Sequence, residues 1–367
     1  MSNKPFLMGF TTGMLILVIA IMPISMSVKP SYAQGQTSIN GAGATFPFPL
    51  IDTWRVQYQK VKPTVNINYQ SIGSGGGVKQ FTGKTIDFGA SDAPLSKSEQ
   101  KAAPGAVHIP ETIGSVVVAY NLPSFPNKGL KLSGPVVADI FLGKITKWND
   151  PKIRSLNPGV SLPSNNIVVV HRSDGSGTTF VWTDYLSKIS SEWKDKIGTS
   201  KSVPWPTGIG APGNEGVANA IKGTQNTIGY IELAYALTTK MPYAFLQNQA
   251  GKFIEPSISS TVAAISASAP NLPKGDQPWD SVSMVNAPGP DSYPIASFSY
   301  LLLYKELSTN PSINDAKAKA LVDFISWAIT DGQKSANKLG YVPLPDSVVK
   351  LDQDTLKSLT FHGNPLS

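Results

Sequence analysis

The chain contains no cysteine, which excludes disulfides, cysteine nucleophiles, thiolate metal sites and a lipid-modified N-terminal cysteine. Charge is sparse, with Asp, Glu, Lys and Arg making up 15% of 367 residues against 41% apolar. That balance excludes a disordered chain, which needs low hydrophobicity and high net charge. Histidine occurs only at 108, 171 and 362, so imidazole bases are scarce. The formal net charge is +7, and no basic cluster is interleaved with aromatics, which argues against nucleic-acid binding. No period of 20–50 residues repeats, and no run after residue 33 is long and apolar enough to cross a membrane.

Glycine (32 residues) and proline (30) are abundant, as in a globular protein rich in turns. The length exceeds one ordinary core and predicts two lobes. Residues 1–33 read as an export signal: a short n-region with Lys4, an apolar stretch from Phe6 to Ile24, then Ser31-Tyr32-Ala33 at a cleavage site, so that the mature chain begins near Gln34. The alternative is an uncleaved anchor, because the apolar stretch approaches the roughly 20 residues that span a bilayer.

Beyond residue 33, short β-rich runs alternate with amphipathic runs of helical length, the pattern of an α/β protein. Strands are expected at 65–72, 86–90, 115–120, 166–171 and 228–231, and helices at 47–60, 76–83, 135–143, 177–189 and 314–337. From about 254 to 293 the prolines predict loops around one alanine-rich helix at 261–268, after which 297–304 resumes as a buried strand. Such an excursion is compatible with a chain that leaves one lobe and returns to the other.

Three glycine-rich turns stand where helices should begin: GATFP at 43–47, GSGGG at 73–77 and SDGSGTTF at 173–180. A helix N-terminus offers unpaired N–H groups and a partial positive charge, so several aimed at one point would cage a small anion. Taken alone, the first turn is only a helix start, with Pro47 pre-set for entry behind Thr45 and Phe46. In the second, Ser74 can cap the helix beginning near Gly76, and the glycines let a ligand approach the backbone. A nucleotide-type phosphate loop is rejected, because Val78 stands where the first glycine before Gly83-Lys84-Thr85 is required.

The third turn is more specific. The strand NIVVVH delivers Arg172, then Asp174, and then Ser176, Gly177 and Thr178 at a helix entrance. Arginine presents a planar fork of donors that suits a tetrahedral oxyanion, and an adjacent carboxylate would orient it; the bland alternative is a surface ion pair. A hydrolase elbow around Ser176 fails, since Asp174 occupies the first glycine position of that motif. His171 is expected on the strand beside the site with its ring turned away from Arg172. The segment DFGASDAPLS at 87–96 places Asp92 at a strand end, before a helix start at Pro94. Asp92 either caps that helix or accepts a hydrogen bond from a protonated ligand oxygen.

These stretches resemble the phosphate-binding proteins of high-affinity phosphate ABC transporters, a family of periplasmic-type substrate-binding proteins. The resemblance runs through GAGATFP (41–47), IGSGGGVKQ (72–80), DFGASDAPLS (87–96), DIFLGKITKWND (139–150) and NIVVVHRSDGSGTTFVWTDYL (166–186). WPTGIGAPGNEGVA (205–218), IGYIELAYA (228–236) and LPDSVV (344–349) extend it over nearly the whole mature chain. It implies an α/β, two-lobed periplasmic-binding-protein type II fold with a hinge of crossing strands. Lobe 1 would comprise 34–113 plus 294–367, and lobe 2 would comprise 114–293. It also implies that Thr45, Phe46, Ser74, Asp92, Arg172, Ser176, Gly177 and Thr178 hold phosphate, with Asp174 pairing the arginine.

No enzymatic activity, cofactor or metal is implied. The expected partners are inorganic phosphate and a permease pair with its cytoplasmic ATPase, and the expected state is an exported monomer in the periplasm or on the outer face of the membrane. Two departures stand out: Gly75 replaces a second serine common among relatives, and the lipidation cysteine of relatives from single-membrane cells is missing. Residues 246–292 match family spacing least well. A secreted hydrolase and a receptor for another oxyanion, such as sulfate or arsenate, remain the alternatives.

Overall fold

The computed structural model describes residues 36–268 and 272–366. The signal or anchor expected at 1–33, and Pro270 in the proline-rich excursion, lie outside the described residues. Eight strands build the main sheet: β1 (Thr37–Gly43), β2 (Val65–Ser71), β3 (Phe88–Ser91), β4 (Ala106–Asn121), β5 (Val168–Arg172), β6 (Ile209–Ala211), β7 (Thr227–Glu232) and β8 (Ala296–Tyr304). Their order across the sheet is β2-β1-β3-β8-β4-β7-β5-β6.

The architecture is mixed α/β with two lobes, and β4 explains how they join. Its first ten residues, Ala106 to Ser115, lie antiparallel to β8, whereas Val116 to Asn121 lie antiparallel to β7. On one side β2, β1 and β3 run parallel, and on the other β7, β5 and β6 run parallel. A strand buried almost end to end, although polar residues interrupt its first half, suits this central place. Helices Phe48–Val61, Ser74–Thr82 and Asp315–Ala328 pack on the β1–β3 side, and Gly177–Ile189 and Gly213–Gly223 on the β5–β7 side. Among the described residues, none of the helices is long and apolar enough to cross a membrane.

Within each set the parallel strands put their carboxyl ends on one edge, which is where open α/β sheets bind ligands; β8 and β4 each lie antiparallel to their neighbours, so the two sets run in opposite directions and present those edges to each other across the crossing strands. Here β1 leads into the Thr45 turn and helix Phe48–Val61, and β2 into helix Ser74–Thr82. β5 leads into helix Gly177–Ile189, β6 into helix Gly213–Gly223, and β3 ends one residue before Asp92. Four helix N-termini and one carboxylate are thereby delivered to the two facing edges.

Several elements differ from expectation. The helix expected over 314–337 ends at Ala328, and a 3₁₀ segment Asp331–Ser335 and a short turn Ala336–Leu339 follow. Gly332 packs beneath Trp54, whose indole donates to its carbonyl at 2.8 Å, so the chain bends there to close over the core. The expected helix start at Pro94 is also displaced. The helix is Lys97–Ala102, capped by Ser96 with Glu99 in a reciprocal capping box, which leaves Asp92 free of any capping duty. Strand β1 and the first half of β4 were not expected.

Candidate functional site

Arg172 ends β5, and its backbone N–H donates to the Tyr230 hydroxyl at 3.1 Å. Tyr230 is itself stacked on Trp182 with ring centroids 5.0 Å apart, and on Trp205 at 5.7 Å. This aromatic column fixes the strand end. The guanidinium is 3% exposed and forks onto Asp174, Nε to Oδ1 at 2.8 Å and Nη2 to Oδ2 at 2.5 Å. Burial opposes its charge, but the bonds and charge of Asp174 outweigh that and raise Arg172 above its ordinary value. Asp174 in turn is held below the usual carboxylate range, burial notwithstanding, by Arg172 and by the Gly213 N–H at 3.0 Å. Arg172 is therefore buried and oriented by a half-buried Asp174, and the surface reading fails. The third fork nitrogen, Nη1, turns toward Thr178 Oγ1 at 3.4 Å.

The hydroxyls share one arrangement. Thr45 Oγ1 accepts from Asn214 N at 3.1 Å and Nδ2 at 2.8 Å. Ser74 Oγ accepts from Asp92 N at 3.2 Å, and Ser176 Oγ caps its helix by accepting from Thr179 N at 3.0 Å. Each oxygen is thus anchored by an N–H, and its single proton is left to donate. Ser74 is not a cap as expected; the N-cap is Gly73, at φ 83° and ψ 154°, a conformation open essentially only to glycine. The leading N–H groups of helix Gly177–Ile189, including those of Gly177 and Thr178, are ones a helix leaves without internal acceptors.

Asp92 lies among these donors. Thr178 Oγ1 donates to its Oδ2 at 3.3 Å, and Ser299 Oγ stands 3.0 Å from its Oδ1. Burial pushes Asp92 up to about 7, against the pull of Ser299, Arg172 and Thr178. A carboxylate that titrates near neutrality while surrounded by donors can act as a proton acceptor.

The residues come from both sides of the cleft and meet across it. Gly75 N donates to Gly175 O at 2.8 Å. Asn214 Nδ2 reaches both Thr45 Oγ1 and, at 3.0 Å, Thr178 Oγ1. Tyr235 donates to Thr45 O at 2.5 Å, and Lys201 pairs with Glu99 at 2.5 Å. All eight expected ligand residues and Asp174 lie along these facing edges. Phe46 is fully buried beside Thr45, its carbonyl accepting from Tyr341. His171 stacks on Trp205, ring centroids 4.7 Å apart.

The sequence reading missed Asn214, Glu111 and Ser299. Asn214 is fully buried at the head of helix Gly213–Gly223, where its Oδ1 also accepts from Glu232 N at 2.9 Å. The signal for it was a further glycine-led helix start, after Pro212.

A two-lobed α/β body whose cleft is ringed by helix N-termini, hydroxyls and one buried arginine is that of a periplasmic-type solute-binding protein. A family model described as the PBP superfamily domain matches residues 30–331. The chain is 46% identical over 343 residues to the phosphate-binding protein PstS of Pasteurella multocida, covering 92% of this chain and 95% of that protein. It is 48% identical over 325 residues to PstS of Xylella fastidiosa, covering 88% and 86%. The fold matches that of a high-affinity periplasmic phosphate-binding protein, PfluDING, solved with phosphate bound, at a TM-score of 0.69 and 20% identity over 90% of this chain and 96% of that one. The chain belongs to the PstS phosphate-binding protein family.

Proposed function

We propose that this protein is the extracytoplasmic component of an ABC phosphate importer, binding inorganic phosphate and delivering it to a membrane permease pair served by a cytoplasmic ATPase. The observation that carries the reading is the set of three hydroxyls, Thr45, Ser74 and Ser176, each anchored by an N–H so that its proton is free for an anion. Donors from the N–H groups of Phe46, Gly177 and Thr178 and from the Arg172 fork complete a tetrahedral cage. Each charge-assisted bond is worth roughly 1.5–3 kcal/mol net. Several of them, less the cost of closing, give micromolar or tighter binding.

Asp92 supplies selectivity. Near neutral pH phosphate keeps a proton to donate to it, whereas sulfate has none and meets a bare carboxylate. The protein works as an exported monomer, in the periplasm or on the extracellular face of the cell membrane, and binds and releases its cargo without chemistry. The lobes divide at 113/114 and 293/294, a partition supported by the change of partner along β4 after Ser115. Ligand contacts from both lobes favour the closed form, so a permease can distinguish loaded from empty protein.

The test is calorimetric titration of phosphate-stripped mature protein with phosphate, then sulfate, at neutral pH. Tight one-to-one phosphate binding without sulfate competition is expected. Equal affinities would discard the Asp92 filter, and binding of neither anion would discard the receptor.

A further inference from the structure

The β4–β8 pairing contains one irregularity. Ser299 faces Thr112 and Tyr300 faces Pro110, so Glu111 has no residue opposite it. An extra residue of this kind is a β-bulge, which re-aims its side chain, and bulges are among the few places a strand tolerates proline. Glu111 is 0% exposed, and its Oε1 lies 2.9 Å from Ser299 Oγ, the same hydroxyl that stands 3.0 Å from Asp92 Oδ1.

A serine hydroxyl has one proton to give. It cannot satisfy two ionised carboxylates, so one of this buried pair must itself carry a proton. Asp92 has Thr178 as a second donor and the Arg172 charge nearby, while Glu111 Oε2 has no partner. The proton therefore belongs on Glu111.

Building on the phosphate reading above, we propose that Glu111 is a positioning residue of the anion filter: it stays protonated and donates to Ser299, which donates to Asp92 Oδ1 and holds Asp92 as an ionised acceptor with Oδ2 turned toward the ligand. Burial, reinforced by the charge of Asp92 and opposed by Ser299, lifts Glu111 to about 8. The other titratable groups around the relay are Tyr69 from β2, Arg172 from β5, Glu232 at the end of β7, Tyr300 from β8 and Tyr341. Burial raises Tyr69, Glu232 and Tyr300 above their ordinary values, and Arg172 is the positive charge that distinguishes Asp92 from Glu111.

The sign of the linkage follows. A bound anion adds negative charge beside Asp92 and favours protonated Glu111. Above about pH 8, wild-type protein must then take up a proton to bind, and affinity falls as pH rises. Glutamine at 111 is neutral at every pH and removes both effects.

The experiment is calorimetry with inorganic phosphate at pH 7 and pH 9, in two buffers of different ionisation enthalpy. Wild-type affinity is expected to drop about tenfold per unit above the Glu111 transition, with proton uptake, and the Glu111→Gln protein to show neither. Ser299→Ala should lower phosphate-over-sulfate discrimination about tenfold, and Ser299→Thr, which keeps the hydroxyl, should restore it. In unmutated protein, the Glu111 carboxyl carbon resonance should report a protonated acid at pH 7. An ionised Glu111 at pH 7, an alkaline loss retained in Glu111→Gln, or full discrimination in Ser299→Ala would each overturn the relay. Wild-type protein that binds no phosphate at pH 7 would overturn the receptor reading, and the relay with it.

Discussion

Gly177 lies against Ser74 and Asp92 so closely that a β-carbon built on it would overlap Ser74 Oγ and stand 2.6 Å from Asp92 Oδ2. Gly177 and Ser74 belong to different glycine turns and different sides of the cleft, so the missing side chain is what lets the turns approach. Gly177 is the first residue of its helix and not at positive φ, so alanine is allowed there by the backbone and favoured by helix propensity. Gly177→Ala is expected to fold normally and to lose phosphate affinity by at least about 100-fold, because closure would force the turns apart. Circular dichroism and calorimetry on the same sample check this; affinity within threefold of wild type would show that the turns need not close.

Asp92 changes role with pH. Its value of about 7 makes it mainly an acceptor at pH 8 and mainly a neutral acid, able to donate, at pH 5.5. Sulfate should therefore compete poorly at pH 8 and distinctly better at pH 5.5. Asp92→Asn, which supplies an N–H at every pH, should flatten that profile and lower discrimination by about 100-fold or more. Competition titrations with labelled phosphate at the two pH values decide the matter, and discrimination independent of pH in wild-type protein would remove Asp92 from the filter.

The three turns were legible because helix entry has a local chemistry. Glycine, proline, serine and threonine announce it over five residues, whatever the rest of the chain does. Strand β1 was not legible, since TSINGAG has no β-formers beyond Thr37 and Ile39 and is held by parallel neighbours on both sides. The first half of β4 was hidden for another reason: Pro110, Glu111 and Gly114 interrupt its apolar pattern, and these are the bulge and the close packing against Phe46. Glu111 and Asn214 carry no short-range signal of buried polar work, because their partners Ser299 and Thr45 lie 188 and 169 residues away.

Lys201 and Glu99 form a partly buried pair across the cleft mouth, with side chains 17% and 24% exposed. Burial raises Glu99, but the bond from Lys201 outweighs it, so the carboxyl sits below its ordinary value of 4.5. The stabilisation is present above that ordinary value and is lost as pH falls through the lower one. The pair is expected to add about 0.5–1 kcal/mol to closure. Lys201→Met should therefore weaken phosphate binding two- to fivefold, mostly through faster release. Stopped-flow release rates test this, and unchanged release would make the pair incidental to closure.

Asp352 is a different kind of buried acid. It is 0% exposed on helix Asp346–Lys357, and neither carboxyl oxygen has a hydrogen-bond partner among the described residues. Burial pushes it well above its ordinary value. The sign runs opposite to that of Glu99: stability is fully present below the unfolded value of about 3.9 and is lost as pH rises through the folded one. An uncompensated acid of this kind costs the fold, and asparagine, of the same shape and always neutral, cannot ionise. Asp352→Asn is expected to stabilise the protein by roughly 1–3 kcal/mol at pH 8 and by less at pH 5. Denaturant melts of both proteins at the two pH values measure the difference. A variant that is less stable at pH 8 would mean that the buried acid has a partner that asparagine cannot replace.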